Sequence, residues 1–344
     1  MRSLMRKEFA YGADIGWLSQ FEAKGIRWVN KEMQEVDAIE ELARFGVNAI
    51  RLRIFVNPPK SAIWQKNEST VCMLGFCDAD GLLSASKRVR DEDLRLMIDF
   101  HYSDHFADPD IQDIPAAWKD LSDEELHAAV HDHTVHTLEM LKTNGIEPEW
   151  VQVGNEINHG FMWPRASLKN DPHLMTSLLN AGYDAVKEVF PKCNVVTHLA
   201  CLNDRSECIP FLETFYANGG KTDILGFSFY PYWFNSPYDV DFIRGQMEYF
   251  YKKYDKPLII AEIGGKEEDP DQTYEIVKNT IDAGRLLPED SVQGIFYWEP
   301  CAGADFLPDH YPLGASKTVG DNTLQLTRAL KAYRDSFILH RAYS

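Results

Sequence analysis

The sequence predicts an α/β fold, a single (β/α)8 TIM barrel spanning residues 1–344, and three observations carry that reading. Eight short apolar or β-branched runs recur along the chain, each followed by a longer stretch with helical spacing. No internal repeat, low-complexity tract or Pro/Gly/Ser linker divides the 344 residues, a length that one barrel fills. Carboxylates, amides and aromatics crowd just past the ends of the apolar runs, where a barrel carries its functional loops.

The runs read as strands lie near residues 11–15, 49–56, 95–101, 150–154, 194–199, 224–230, 258–263 and 293–298. Between the first two, Asp37 to Glu40 has a capping pattern, Ile39, Leu42, Ala43 and Phe45 form an apolar stripe, and Gly46 ends the helix. A second helix starts at Ser122, with Glu125 three residues on, and runs through Leu126, Val130, Leu138 and Leu141 toward Gly145. A short stretch from Lys266 to Pro270 leads into a helix near Tyr274, and a closing helix is expected over residues 324–336.

Lys and Arg number 35 against 53 Asp and Glu, a net charge of −18. Such a surface repels phosphate backbones, so nucleic acid, anionic membrane and polyanionic polymers are poor partners and a neutral substrate fits better. The first ten residues lack the apolar core of a secretory signal, and no window reaches the ~18 apolar residues of a membrane span, so a cytoplasmic location is expected. Six cysteines, none spaced C-x-x-C, read as reduced, buried thiols, and no obligate protein partner is inferred.

Two strand ends carry the chemistry. The fourth breaks from Trp150-Val-Gln-Val153 into Gly154-Asn155-Glu156, and the seventh from Leu258-Ile-Ile-Ala261 into Glu262-Ile-Gly264. Strands four and seven lie on roughly opposite sides of a barrel, so the two glutamates can converge across its mouth. Hydrolysis of a glycosidic bond needs such a pair in different protonation states: one protonates the leaving oxygen, the other attacks or activates water at the anomeric carbon. Either glutamate alone would be an ordinary salt-bridging carboxylate. Paired at these strand ends, they read as catalytic.

Supporting candidates surround them. Asn155 is placed to bond a sugar 2-hydroxyl, and Tyr230 to donate its hydroxyl to Glu262. Arg51 and Arg53 alternate onto one face of the second strand, and Arg53, nearer the strand's C-terminal end, is taken as the partner of Glu262, whose pKa would then be depressed. His101 and Asp104 follow the third strand and can bind sugar hydroxyls, as can Asp14 after the first. Their density raises a metal site as an alternative, but the first strand lacks the H-x-H pair of metal-dependent barrel hydrolases, so neither metal nor other cofactor is expected. His127 and His131 read as a solvated helix face. Trp17, Trp163, Tyr232, Trp233 and above all Trp298 can offer flat faces to pyranose rings.

These motifs together resemble glycoside hydrolase family 53, the endo-β-1,4-galactanases. The likeness runs from Gly12-Ala-Asp-Ile-Gly-Trp-Leu18 through Arg51-Leu-Arg-Ile-Phe-Val-Asn57, Asp99-Phe-His-Tyr-Ser-Asp104, Ala107-Asp-Pro109, Pro115-Ala-Ala-Trp118, Val151-Gln-Val-Gly-Asn-Glu-Ile157 and Tyr230-Pro-Tyr-Trp233 to Phe296-Tyr-Trp-Glu-Pro300. It implies a retaining double displacement with Glu156 as acid/base and Glu262 as nucleophile, acting on β-1,4-galactan or galacto-oligosaccharides. The stretch after Glu262 is shorter than the family's usual loop, which removes wall from one side of the cleft; with no export signal read at the N-terminus, trimming of imported galacto-oligosaccharides is expected. Another retaining activity, an exo-β-galactosidase or β-mannanase, is the alternative among enzymes. A non-catalytic carbohydrate-binding barrel is the alternative outside them, and the intact Glu156, Glu262 and Asn155 speak against it.

Overall fold

Alternating apolar residues in eight parallel strands close a barrel in the computed structural model, which describes residues 9–336; residues 1–8 and 337–344, including most of the N-terminal stretch read above, lie outside that range. The strands are β1 (Ala10–Asp14), β2 (Ala49–Ile54), β3 (Arg95–Phe100), β4 (Trp150–Val153), β5 (Asn194–Leu199), β6 (Ile224–Phe229), β7 (Leu258–Ile263) and β8 (Val292–Tyr297). Each pairs with its neighbour in sequence, and β1 closes the ring against β8. The second run stops short of the expected Val56 because Phe55 and Val56 turn their N–H groups to loop carbonyls of Cys77 and Ser103 instead of the ladder.

Helices cover the outside and begin where acids and hydroxyls can accept from free N–H groups. Asp37 accepts from Ile39 and Glu40 at the start of Ala38–Arg44, and Ser122 with Glu125 forms the reciprocal capping pair of Asp123–Thr143. The helix read near Tyr274 is Pro270–Arg285, capped by Asp269.

The expected closing helix needs correction. Thr323–Leu326 is a strand, paired with Ser316–Gly320 and with Arg27–Val29, and helical structure starts only at Arg328–Leu330 and continues over residues 331–336. Thr323-Leu-Gln-Leu326 alternates with period two, and Thr327 then caps the turn that follows. A hairpin after β2, Ile63–Gln65 with Val71–Met73, was likewise not anticipated.

Inside the barrel, period-two alternation stacks two layers. Ala10, Ala49, Met97, Trp150, Val196, Ile224, Ile259 and Phe296 form one buried apolar cluster drawn from all eight strands. One step toward the strands' C-terminal ends, Asp14, Arg51, Asp99, Gln152, His198 and Ser228 form a buried polar layer. A polar layer shut away from water must satisfy itself by hydrogen bonds and ion pairs, and it forms the floor of the barrel mouth. All six cysteines are buried and free. Among the described residues, no helix is long and apolar enough to cross a membrane.

Candidate active site

Glu156 and Glu262 reach the mouth by breaking strand alternation. Gly154 leaves β4 at φ +82° and Glu156 follows in the left-handed region at φ 50°, a conformation that costs a non-glycine residue ~1–2 kcal/mol. On β7, Ala261 belongs to the interior cluster, so strict alternation would turn Glu262 outward. The pairing with β6 slips instead: Phe227 sits opposite Ile260 and Ser228 opposite Glu262, which brings the carboxylate inward. Ser228 thus lies beside Glu262 on the sheet while its Oγ stands 2.5 Å from Glu156 Oε1.

The two carboxyls have unlike company. Glu262 receives the Tyr230 hydroxyl on Oε2 at 2.9 Å and the Arg51 guanidinium on Oε1 at 3.1 Å. No side-chain cation pairs with Glu156 among the described residues; burial, and then the charge of Glu262, push its carboxyl well above the usual range. Burial also pushes Glu262 up, to about 7, with Arg51 and Tyr230 pulling the other way. The depressed pKa expected for Glu262 is therefore corrected: loss of hydration outweighs the guanidinium. The cation and the phenol still mark Glu262 as the side that ionises first, leaving the proton on Glu156.

The choice of arginine is also corrected. Arg51, not Arg53, contacts Glu262; it also binds Asp14 Oδ2 at 2.8 Å, Asp99 Oδ2 at 2.8 Å, and the amide oxygens of Gln152 and Asn155. Arg53, higher in the mouth, turns to Glu299 Oε1 at 2.6 Å and Asp14 Oδ1 at 3.0 Å, its guanidinium over the rings of Trp17, Phe106 and Trp298. A Cβ at position 16 would stand 2.3 Å from that guanidinium carbon, so only glycine lets the chain pass there. Height along the strand thus selected the wrong guanidinium, because Glu299 past β8 takes the upper one.

Several residues expected to meet sugar are already occupied. Asp104 accepts from the backbone N–H groups of Asn57 and Ala116 and ties loops together. His101 is buried, its Nδ1 accepting from Ala107 and its Nε2 facing Asp99 at 3.0 Å. Asp14 is fully buried beneath the two arginines, and Trp17 is a core residue whose indole N–H donates to the Met73 carbonyl. Asn155 spends its oxygen on Arg51, Gln152 and His198 and one N–H on the Ala107 carbonyl, while its second N–H has no protein acceptor among the described residues.

The aromatic walls are unequal. Trp298 is partly exposed and packs edge-on against Trp17 at 4.8 Å and Tyr311 at 4.7 Å. Trp233, on the short helix Pro231–Phe234 past β6, is half exposed at the rim beside Tyr232. Trp163 is partly buried and donates to the His159 carbonyl.

Sequence reasoning missed Gln152, His198, Ser228, Glu299 and Tyr311. The signal for the first three was a polar residue at an inward position of an otherwise apolar strand, and Ser228 also lies two residues before Tyr230. Tyr311 comes from the long loop after β8, and nothing in its local pattern places it.

Comparison with known proteins agrees with this architecture. The profile of Glycosyl hydrolase family 53 matches residues 10–333. A Niallia circulans protein described as an uncharacterized protein in the bgaB 5' region is 30% identical over 327 residues, 86% of this chain and 85% of its own. The endo-beta-1,4-galactanase of Bacillus subtilis is 26% identical, with 86% of this chain and 71% of that protein covered. Among solved structures, the Ignisphaera aggregans GH53 catalytic domain superposes with a TM-score of 0.81 at 27% identity, covering 96% of this chain and 97% of that one.

Proposed function

The chain belongs to glycosyl hydrolase family 53, a family of retaining glycosidases, and from that premise we propose that it cleaves β-1,4-galactosidic bonds in galactan or galacto-oligosaccharides, with Glu156 as acid/base and Glu262 as nucleophile. One observation carries the assignment of roles: Glu156 and Glu262 both stand at the barrel mouth, and only Glu262 has a cation and a phenol on its carboxyl to favour ionisation.

Glu262 attacks the anomeric carbon while Glu156 gives its proton to the departing glycosidic oxygen, leaving a galactosyl ester on Glu262. Glu156, now ionised, takes a proton from water, the water oxygen attacks the same carbon, and Glu262 is released with configuration retained. Arg51 and Tyr230 offset the negative charge that returns to Glu262. The free N–H of Asn155 is the donor available to the 2-hydroxyl, a bond that strengthens as the sugar gains oxocarbenium character.

The test is turnover of β-1,4-galactotetraose by Glu156→Gln and Glu262→Gln. Each is expected to lose at least ~10³-fold, and azide should restore part of the activity of Glu156→Ala with a β-galactosyl azide product. Undiminished turnover in either glutamine variant ends the assignment.

A further inference from the structure

Ser228 Oγ lies 2.5 Å from Glu156 Oε1 and 2.9 Å from His198 Nε2. A hydroxyl has one hydrogen and donates to only one of them. On the other side of the imidazole, His198 Nδ1 is 2.8 Å from Asn155 Oδ1. That atom is an amide oxygen: Arg51 Nη2 donates to it at 2.8 Å, and Asn155 Nδ2 donates to the Ala107 carbonyl. An oxygen carrying no hydrogen requires N–H opposite, so Nδ1 is the protonated nitrogen.

Burial, and then the Arg51 cation, disfavour an imidazolium at this position, so the ring is neutral and Nε2 is a bare acceptor. When Glu156 is ionised, its carboxylate and Nε2 compete for the single Ser228 hydrogen. When Glu156 is protonated, every group is served: Glu156 donates to Ser228, Ser228 to Nε2, and Nδ1–H to Asn155. A buried acceptor left without a hydrogen costs more than a typical bond gains, so the protonated state is the favoured one.

Resting on the reading of Glu156 as the acid/base, we propose that Ser228 and His198 are positioning residues that keep the catalytic proton on Glu156 and point it along a fixed hydrogen-bonded line. The role is distinct from that of a hydroxyl simply donating to a carboxylate, which would favour the ionised acid. The other charged or titratable groups facing Glu156 are Glu262 on β7, Asp108 after β3, Arg51 on β2, Cys201 after β5, Tyr230 after β6 and Tyr311 after β8; those facing His198 are Arg51, Asp99 and His101. None of them is itself altered by a substitution at His198 alone.

The test is His198→Asn, whose amide N–H can still serve Asn155 but which offers no acceptor at the Nε2 position. The basic limb of kcat/KM on galactotetraose is expected to move down by about 0.5–1 pH unit, the size of one hydrogen bond. The loss at neutral pH should be larger for that substrate than for a nitrophenyl β-galactoside, whose leaving group needs little protonation. An upward shift, as removal of a cation would give, or no shift, as a purely structural residue would give, overturns the proposal. Independently of the variant's folding, nitrogen-15 NMR of the wild type should find His198 neutral with Nδ1 protonated, and an Nε2–H ring or an imidazolium at neutral pH also overturns it. Glu156→Gln run in parallel separates the two readings: full activity there refutes the acid assignment, whereas an unmoved limb in His198→Asn with an inactive Glu156→Gln refutes only the relay.

Discussion

Replacing Tyr230 by Phe removes one oxygen and leaves the ring in its buried slot beside Gly264. That hydroxyl donates to Glu262 Oε2 at 2.9 Å, so its loss withdraws support from the ionised form of Glu262. A hydrogen bond to a charged acceptor is worth ~1.5–3 kcal/mol, or ~1–2 pH units on the carboxyl. Arg51 remains at 3.1 Å on the other oxygen and cushions the change, so the lower end applies. The acidic limb of kcat/KM, set by Glu262 near about 7, moves up by about one unit. Activity rises with pH as Glu262 loses its proton, so at pH 6 the ionised fraction and kcat/KM both fall by about tenfold, while the loss shrinks toward alkaline pH until Glu156 begins to ionise. The measurement is a pH series from 4 to 10 on galactotetraose. An acidic limb that stays put or moves down, or a loss equal at every pH, would refute the account of Tyr230 as the group that keeps Glu262 ionised.

Four further outcomes follow from the same geometry. Burial holds the Glu299 carboxyl up, at about 8, against the pull of Arg53, so the folded chain keeps a proton that the unfolded chain releases above about 4.5. Stability from this group is therefore full below that lower value and lost as pH rises through the higher one; Glu299→Gln should flatten the fall of Tm between pH 5 and 8, removing at most ~1.4 kcal/mol per pH unit. Arg51→Lys, which cannot reach five partners at once, should abolish detectable turnover and destabilise by ~3 kcal/mol or more, whereas Arg53→Lys should retain the acidic limb of the pH profile, because its carboxyl partners are Glu299 and Asp14. Trp298→Ala should raise KM by about tenfold or more with a smaller change in kcat, checked by initial rates on galactotetraose. Only residues 264–269 separate β7 from Pro270–Arg285, so kcat/KM should level off by the tetramer; a continued steep rise toward long galactan would contradict a short cleft.

The barrel was legible because each of its strands is a short apolar run, and the interior layers follow from alternation alone: Ala49, Arg51, Arg53 on β2; Met97, Asp99, His101 from β3; Ile224, Gly226, Ser228, Tyr230 from β6. The two glutamates were legible as polar residues ending apolar runs. How they enter the mouth was not, since a left-handed turn at Glu156 and a register slip beside Ser228 are properties of neighbouring strands. Partner choice was illegible for the same reason. Arg53 sits nearer the strand end than Arg51, but Glu299, contributed 246 residues later, decides which guanidinium is free for Glu262. The strand Thr323–Leu326 was hidden inside a segment whose later residues are helical.

Charge balance in the mouth explains why a proton relay is useful there. Five carboxyls, those of Asp14, Asp99, Glu156, Glu262 and Glu299, surround two guanidiniums, and the adjoining His198 is held neutral by burial. Two cations cannot neutralise five carboxylates in so buried a site, so protons must offset part of the excess. They settle on Glu156, which has no paired cation among the described residues, and on Glu299, where burial outweighs the pull of Arg53 and Oε2 has no partner. Asp99 goes the other way, since Arg51 and His101 together outweigh its burial and hold its carboxyl below the usual range. An acid that must be protonated near neutral pH is thus produced by placing one guanidinium too few beside it, and the nucleophile's role is proposed for Glu262 because Arg51 is spent on its side of the cleft. Moving that guanidinium's contact from Glu262 to Glu156 would exchange their protonation states and leave neither step of the double displacement with its reagent.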